Sequence, residues 1–400
     1  MESKYGPLFN ILNNLPEYIR LFNALKGGFG PVSVFGLGEA QRIHIACAVY
    51  GSLNRTMLFV APSEQSALRI YESAACYFPE ALLFPAREIP LNAHTYVQSQ
   101  ELTARRMNTV SRLVSGKTSF VITSVEALMQ RMAPPELIAD STCTVRIGMT
   151  IAPSSLLKRF IDAGYERVDT CEGRGQVCLR GGCIDIFPIA SNNPVRIEFF
   201  DDEIDTMRKF DPVSQRSTEN ISDITITPAT ELPLSKDMRQ KGIAALRNKP
   251  RYALETETLR AGGTPTNALS LLPVFSRSEI CLIDYLPDNA VVLMEEPARI
   301  EESAKYAFSR FMDELADVLR SGEGHEMQAN LLHTPSSTIG KLNRSSTAML
   351  FSLTRAYGLI KPNELIKFES RQIPKYMPGD TSLRDDISLW RQKGYSVLLY

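Results

Sequence analysis

The 400-residue sequence lacks the marks of several broad protein classes. It has no run of about 18 apolar residues, and no basic N-terminal region precedes a long apolar core, so neither a membrane span nor a secretory signal is predicted. Its 44 basic and 45 acidic residues leave a formal net charge of -1, without the positive field that drives nonspecific binding to nucleic acid. We therefore expect a cytoplasmic protein without membrane contact, in which any DNA contact is local.

A disulfide framework is also missing. The seven cysteines are odd in number and scattered, which is typical of reduced thiols in the cytosol. Cys171, Cys178 and Cys183 lie close together in sequence, but their spacing and the lack of a neighbouring histidine do not match a zinc site. The sequence predicts small apolar residues on strands at these positions, and no metal site.

The sequence does contain an alternation of short apolar strands and amphipathic helical patterns, which predicts a parallel sheet covered by helices. After Pro134-Pro135, residues 142–227 read as short strands with one helix at 152–164, which indicates an inserted α+β domain. The other predicted strands are 32–35, 57–61, 81–84, 118–123, 279–287, 290–297, 347–351 and 364–368. The other predicted helices are 8–26, 39–50, 63–75, 97–114, 124–131, 298–320 and 381–393, with a loop over 321–346.

These patterns predict four parts. Residues 1–141 form the first segment of an α/β domain, 142–227 the inserted domain, 228–344 the second segment with a linker, and 345–400 the start of a further small α/β domain. The strand pattern "YSVLLY" runs to residue 400 with nothing to cover its sheet. We therefore expect that the chain is a fragment of a longer protein.

The stretch "SVFGLGEAQR" (33–42) has the outline of a phosphate-binding loop. A working loop needs a lysine for the phosphate oxygens and a Ser or Thr hydroxyl for Mg²⁺. Here Gly36 and Gly38 supply the turn, but the residues that follow, from Glu39 through Arg42 to Ile43, contain neither a Gly-Lys step nor a hydroxyl. Glu39 also places a negative charge at the helix N-terminus, where a triphosphate would bind. The sequence predicts a degenerate nucleotide loop.

The companion acidic motif of such a fold belongs at the end of a later strand. "VVLMEEP" offers Glu295 and Glu296 there. An acidic pair in this place binds Mg²⁺ and activates water in working enzymes. Because the loop has no lysine, we favour a solvated strand end over a metal site, and we expect no catalytic residue in this chain.

The segment 178–211 has the composition of a working surface. It reads as a hairpin whose second strand begins at Val195, and period-2 alternation places Arg196 and Phe200 together on its polar face. Gly181-Gly182 invites a bulge that would turn Arg180 toward the same face, and the acidic turn 201–205 offers a partner to either arginine. Exposed aromatic and arginine side chains are typical of interface anchors. The alternative is that Phe200 is buried by the inserted domain's own helix and the arginines form surface ion pairs.

These residues carry a resemblance to a known family. The segments "RGGCIDIFP", "RIEFFDDEID", "FDPVSQRS", "VEALMQRMAPP" and "GLGEAQR" are similar to the N-terminal region of the Mfd family of bacterial transcription-repair coupling factors, which is itself similar to the repair protein UvrB. The likeness covers essentially all 400 residues. UvrB has an intact phosphate loop and an aromatic-rich hairpin that threads DNA, whereas the corresponding region 85–101 here offers only Tyr96. The coupling factors are therefore favoured.

The resemblance implies a UvrB-like sheet domain made of two segments, an inserted UvrA-binding domain and a further small domain beginning near residue 345. It implies that Arg180, Arg196 and Phe200 contact UvrA, because the family uses two arginines and a phenylalanine at these positions. It also implies a longer protein with an RNA-polymerase-binding domain and an ATP- and Mg-dependent DNA translocase. In the family, the C-terminal part covers the UvrA-binding face in a repressed state.

The sequence is compatible with three candidate functions. The leading one is a non-catalytic recruitment module that binds UvrA and so brings nucleotide excision repair to stalled RNA polymerase, with no cofactor in this chain. The second is a UvrB-like ATP-dependent helicase acting within this chain, against which the missing lysine argues. The third is a DNA-binding module, which the neutral composition disfavours.

Overall fold

The computed structural model of the chain describes residues 6–89, 91, 99–277, 279–353, 358–370, 376–377, 379–395 and 397. Within these residues, seven strands form one parallel sheet. From one edge to the other they are β15 (Glu364–Lys367), β1 (Val32–Phe35), β14 (Thr347–Leu350), β13 (Val291–Glu295), β2 (Met57–Ala61), β4 (Phe120–Ser124) and β3 (Leu82–Phe84), numbered in chain order.

Helices pack on both faces of this sheet, and a large apolar core lies on each side. Because both faces are covered, β2 and β4 are buried at every position, and β2 reads as a continuous apolar run. The helices are α1 (Gly6–Asn10), α2 (Pro16–Gly27), α3 (Glu39–Leu53), α4 (Glu64–Tyr77), α5 (Gln100–Val114), α6 (Val125–Met129), α7 (Pro135–Asp140), α8 (Pro153–Asp162), α9 (Lys236–Leu246), α10 (Ala253–Arg260), α11 (Leu272–Phe275), α12 (Pro297–Arg320), α13 (Pro335–Leu342) and α14 (Ser382–Gln392).

A second sheet of six strands lies between the two segments of the first, and all but one of its strand pairs are antiparallel. One of its faces packs against α8 through Leu156, Leu157 and Phe160. In spatial order its strands are β11 (Ser217–Asn220), β10 (Glu203–Phe210), β9 (Val195–Phe200), β8 (Cys183–Ile186), β7 (Gln176–Arg180) and β6 (Glu166–Arg167), and β5 (Cys143–Arg146) pairs with β12 (Asp223–Ile226) beside it. The predicted fold class, a parallel α/β sheet with a separate α+β region, is confirmed.

The strand predicted at 279–287 is wrong. Residues Leu282–Tyr285 form a 3-10 helix, closed by the Asp284 carboxylate, which accepts the Cys281 backbone N–H at 2.8 Å. A short apolar run that is buried on all sides looks the same in sequence whether it is a strand or a helix.

The loop predicted at 321–346 is also wrong. It contains a 3-10 helix at Glu326–Leu331 and the helix α13. Thr334 caps α13 by accepting the Ser337 backbone N–H, and Pro335 occupies its first turn. A Ser/Thr-rich stretch with proline is therefore a helix start here, since both residue types favour this position.

The boundary predicted at residue 345 falls inside the parallel sheet. β14 lies between β1 and β13, and β15 pairs with β1 in register from Val32 to Phe35. Strands 347–350 and 364–367 therefore complete the first domain instead of beginning a new one. The sequence does not show this, because the strands pair in parallel with β1, which lies far away in the chain. Tyr96 and most of the terminal "YSVLLY" lie outside the described residues.

Three cysteines that lie close together in sequence have different environments. Cys171 and Cys178 pack with Phe187 and Phe210 in a small apolar cluster, and Cys183 is half-buried on β8. Burial raises the pKa of the Cys178 thiol.

None of the helices in the described part of the chain combines the length and apolar character needed to cross a membrane.

A buried ionic cluster joins the second sheet to the first. Glu231, which follows β12, binds Arg106 of α5 through two bonds of 2.8 Å and Arg87 through one of 2.7 Å. All three side chains are at most 3% exposed. Burial raises the pKa of Glu231, but the two guanidinium groups outweigh burial and lower it to about 2. The cluster fixes the point at which the chain returns from the second sheet.

We predict that Glu231→Gln lowers the free energy of unfolding at pH 7 by about 3–5 kcal/mol, because it leaves two buried guanidinium groups without a carboxylate. A carboxyl group whose pKa is lowered by folding stabilises the fold above its ordinary pKa and loses this effect as pH falls. The difference between the wild type and the variant should therefore narrow as pH falls from about 4.5 toward 2. Denaturant unfolding over this pH range measures both effects.

The control is Glu219→Gln, which removes an exposed ion pair with Lys209 on the second sheet. It should change the free energy of unfolding by less than about 0.5 kcal/mol. Equal effects of the two substitutions would contradict the role assigned to the buried cluster.

Candidate functional site

The glycine-rich turn after β1 is covered by the protein's own backbone. Gly36 has a φ of +83°, and a Cβ atom there would collide with the Phe368 carbonyl oxygen. Phe368 donates its backbone N–H to the Phe35 carbonyl at 2.9 Å, and the Ser370 hydroxyl donates to the Gly36 carbonyl. The segment after β15 therefore packs directly on the turn.

The helix α3 begins at Glu39, directly after Gly38, as the sequence predicts. Glu39 is exposed and lies 3.4 Å from Arg69 of α4. A negative charge in the first turn interacts favourably with the helix dipole and repels an anion that would bind at the same place.

Arg42 binds the acidic pair at the end of β13. Its guanidinium lies 2.9 Å from Glu296 and 3.5 Å from Glu295, and Glu296 also accepts the Ser352 backbone N–H at 2.8 Å. Burial raises the pKa of Glu295, while Arg42 opposes this shift. The solvated strand end predicted for this pair is wrong, because both carboxylates are buried and Arg42 reaches them from α3.

A cavity of about 510 Å³ opens at the carboxyl edge of the parallel sheet, beside the ends of β2, β3 and β4. Open α/β sheets bind ligands at this edge. The lining includes Glu64, Glu126 and Arg310, of which the last two form an ion pair at 3.1 Å. None of the glycine-loop or acidic-motif residues lines it, so the cavity is separate from the degenerate loop.

The outer face of the six-stranded sheet carries the predicted surface residues. Along β9, Val195 and Ile197 are buried against α8, whereas Arg196 is half-buried and Phe200 is 75% exposed on the opposite face. The predicted alternation is therefore confirmed. The alternative in which the domain's own helix buries Phe200 is wrong, because α8 lies on the other face of the sheet.

Arg196 is held by a carboxylate that sequence reasoning missed. Asp185, opposite Arg196 on β8, accepts its Nε at 2.7 Å and its Nη2 at 2.8 Å. The Arg196 guanidinium also lies 5.0 Å from the centre of the Phe210 ring. The hydrogen bonds to Asp185 raise the pKa of Arg196 further above its ordinary value. The signal in the sequence was one acidic residue inside the apolar strand "CIDIF".

Arg180 reaches the same face from the end of β7. Its Nε donates to the Asp169 carbonyl at 2.7 Å and its Nη2 to the Thr170 hydroxyl. The bulge predicted at Gly181-Gly182 is wrong: these glycines form a two-residue hairpin turn, since Arg180 pairs with Cys183 across it and Gly181 has a φ of +54°. The acidic turn 201–205 is not the partner of either arginine.

A second ion pair lies beside Phe200 on this face. Glu198 accepts hydrogen bonds from Thr206 at 2.6 Å and from Arg208, both on β10. These bonds lower the pKa of Glu198. The face thus presents an exposed aromatic ring together with three arginines that are hydrogen-bonded to neighbouring groups.

This geometry coincides with a match to a known domain. The model of the UvrB interaction domain family matches residues 143–232, which cover α8 and the whole six-stranded sheet. The fold and the match define the class of the protein: a parallel α/β sheet with a region similar to the UvrB interaction domain between its segments.

The chain is similar to curated transcription-repair-coupling factors over most of its length. It is 28% identical to that of Bacillus subtilis (strain 168) over 77% of this chain and 28% of the relative. It is 24% identical to those of Staphylococcus aureus (strain MRSA252) and Staphylococcus epidermidis (strain ATCC 12228 / FDA PCI 1200), over 97% of this chain and 35% of each relative. The resemblance to the N-terminal region of this family is confirmed, and the chain spans about a third of the length of these relatives.

We predict that Phe200→Ala changes the free energy of unfolding by less than about 0.5 kcal/mol, since the ring is largely exposed. Phe210→Ala should lower it by about 3–5 kcal/mol, because Phe210 is fully buried in the apolar cluster beneath the face. Denaturant unfolding of both variants checks this. A large loss for Phe200→Ala would contradict the exposed position of its side chain.

Proposed function

We propose that this chain is a non-catalytic recruitment module that binds UvrA through the outer face of the six-stranded sheet. The observation that carries the proposal is the exposure of Phe200 on the same face as Arg180 and Arg196, within the region that matches the UvrB interaction domain. Exposed aromatic rings and arginines supply most of the binding energy of protein interfaces. An aromatic ring left in water on a sheet that is otherwise well packed fits an interface anchor.

The geometry also defines what the partner must present. One N–H of Nε and one of Nη2 in Arg196 bind Asp185, which leaves the two N–H groups of Nη1 and the second N–H of Nη2 as donors for a partner. Phe200 requires an apolar pocket, and the arginines around it require carboxylate or carbonyl oxygens. Acidic groups around an apolar depression are therefore the complementary surface expected on UvrA.

The nucleotide loop does not fit ATP and Mg²⁺, and this supports a role without catalysis. No lysine follows Gly38, the Phe368 backbone packs on Gly36, and Arg42 already binds the two carboxylates that a metal ion would require. We therefore assign no catalytic residue and no cofactor to this chain, and the UvrB-like helicase remains the alternative.

The partners of the longer relatives enter only as part of this proposal. Similarity to transcription-repair-coupling factors supports a role in coupling repair to transcription. We infer that RNA polymerase, DNA and ATP are engaged by parts of a longer protein, a DNA translocase, whose C-terminal region covers the UvrA-binding face in a repressed state. This role places the protein in the cytoplasm.

We predict that Phe200→Ala and Arg196→Ala each weaken binding to immobilised UvrA about 30-fold or more, because both remove an interface anchor. Titration calorimetry with purified UvrA and the 400-residue chain measures the affinity. Circular dichroism and thermal unfolding show that the variants remain folded.

Tyr306→Ala is the matched control, since Tyr306 is an aromatic residue that is 70% exposed on α12, outside the matched domain. It should leave UvrA binding unchanged. Wild-type affinity in both Phe200→Ala and Arg196→Ala would remove the proposed function.

We predict that the purified chain hydrolyses no ATP, with or without DNA, and that ATP analogues leave its thermal unfolding midpoint unchanged. A coupled phosphate-release assay and thermal unfolding test this. ATP hydrolysis by the chain that disappears in Glu295→Ala would favour the helicase instead.

A further inference from the structure

Two arginines of the proposed UvrA-binding face are held in the same way. In Arg196, Nε and Nη2 donate to the two carboxylate oxygens of Asp185. In Arg180, Nε and Nη2 donate to the Asp169 carbonyl and the Thr170 hydroxyl. In both cases the bonds use the Nε–Nη2 edge of the guanidinium and direct the remaining Nη1 group away from them.

The group that holds Arg196 is inaccessible to a partner. Asp185 is 1% exposed, whereas the Arg196 side chain is 24% exposed and covers it. The Phe210 ring lies near the guanidinium at 5.0 Å and limits its movement toward the sheet. Asp185 therefore acts on any partner only through Arg196.

A fixed guanidinium lowers the cost of binding. An arginine that is free in solution loses much of its side-chain freedom when it enters an interface, and this loss weakens the complex. A planar guanidinium held through two parallel hydrogen bonds has already lost that freedom in the unbound protein. The orientation seen on this face is therefore the orientation that a partner meets.

We propose that Asp185 and Thr170 are positioning residues for UvrA binding: without contacting UvrA, they hold Arg196 and Arg180 with the Nη1 groups directed outward. This inference rests on the proposed function. It assigns a role in affinity to two residues that lie behind the binding face.

The test is a double-mutant cycle measured by calorimetry with UvrA and the 400-residue chain, comparing Asp185→Asn, Arg196→Ala and both together. Asp185→Asn should weaken binding about tenfold in the wild-type background. It should change affinity less than about twofold when Arg196 is already alanine, because nothing is left to position. Low ionic strength, at which association driven by charge is strongest, keeps the weakened variants measurable.

A merely structural role gives a different result. If Asp185→Asn weakened binding by loosening the sheet, it would cause the same loss with and without Arg196, and the proposal would be wrong. Glu219→Gln is the matched control, an acidic residue of the same sheet paired with Lys209, and it should leave affinity unchanged.

A second cycle, Thr170→Val with Arg180→Ala, is independent of the stability of the buried Asp185 site. Thr170 is half-buried in the segment before β7, and the substitution keeps its shape. We expect a several-fold loss of affinity that disappears in the Arg180→Ala background. An unchanged affinity in both Asp185→Asn and Thr170→Val, with binding still lost in Arg196→Ala, would reject the positioning role and leave the proposed function in place. An unchanged affinity in Arg196→Ala and Phe200→Ala would reject the proposed function itself.

Discussion

The pleat of strand Val195–Phe200 is the constraint on which the rest of the account depends. Val195 and Ile197 must face α8 to complete the apolar core of the second sheet, so Arg196 and Phe200 have to lie on the opposite face. The apolar residues that stabilise the sheet therefore also fix which side chains are presented. A shift of one residue in register would bury the arginine and expose the core, so the stability of the fold and the composition of the face are specified together.

Buried carboxylates bind arginines at three places in the structure. Beside the glycine-rich turn, Arg42 binds Glu295 and Glu296 in a buried ionic cluster. At the return from the second sheet, Glu231 binds two buried arginines. On the outer face, the buried Asp185 holds the half-exposed Arg196. In the first two arrangements all the charged groups are buried, whereas in the third part of the Arg196 guanidinium is exposed to a partner. For this reason we assign partner binding to the outer face and not to the glycine-rich loop.

Periodicity predicted much of this structure. The strands and helices around the parallel sheet were recognised from their apolar runs, and the face shared by Arg196 and Phe200 followed from alternation along one strand. The 3-10 helix at Leu282–Tyr285 was missed because a run buried on all sides has no period. The place of β14 and β15 in the first sheet depends on pairing between residues more than 300 positions apart. Asp185 and Thr170 were missed for a similar reason, since hydrogen bonds that orient a side chain leave no periodic trace in the sequence.

Photo-crosslinking from position 200 shows whether the outer face of the six-stranded sheet contacts UvrA. A benzophenone amino acid in place of Phe200 should form a covalent product with UvrA on irradiation, because the proposed interface includes the side chain at this position. The same group in place of Tyr306, which is similarly exposed on α12, should form none. Crosslinking from position 306 without crosslinking from position 200 would contradict the account.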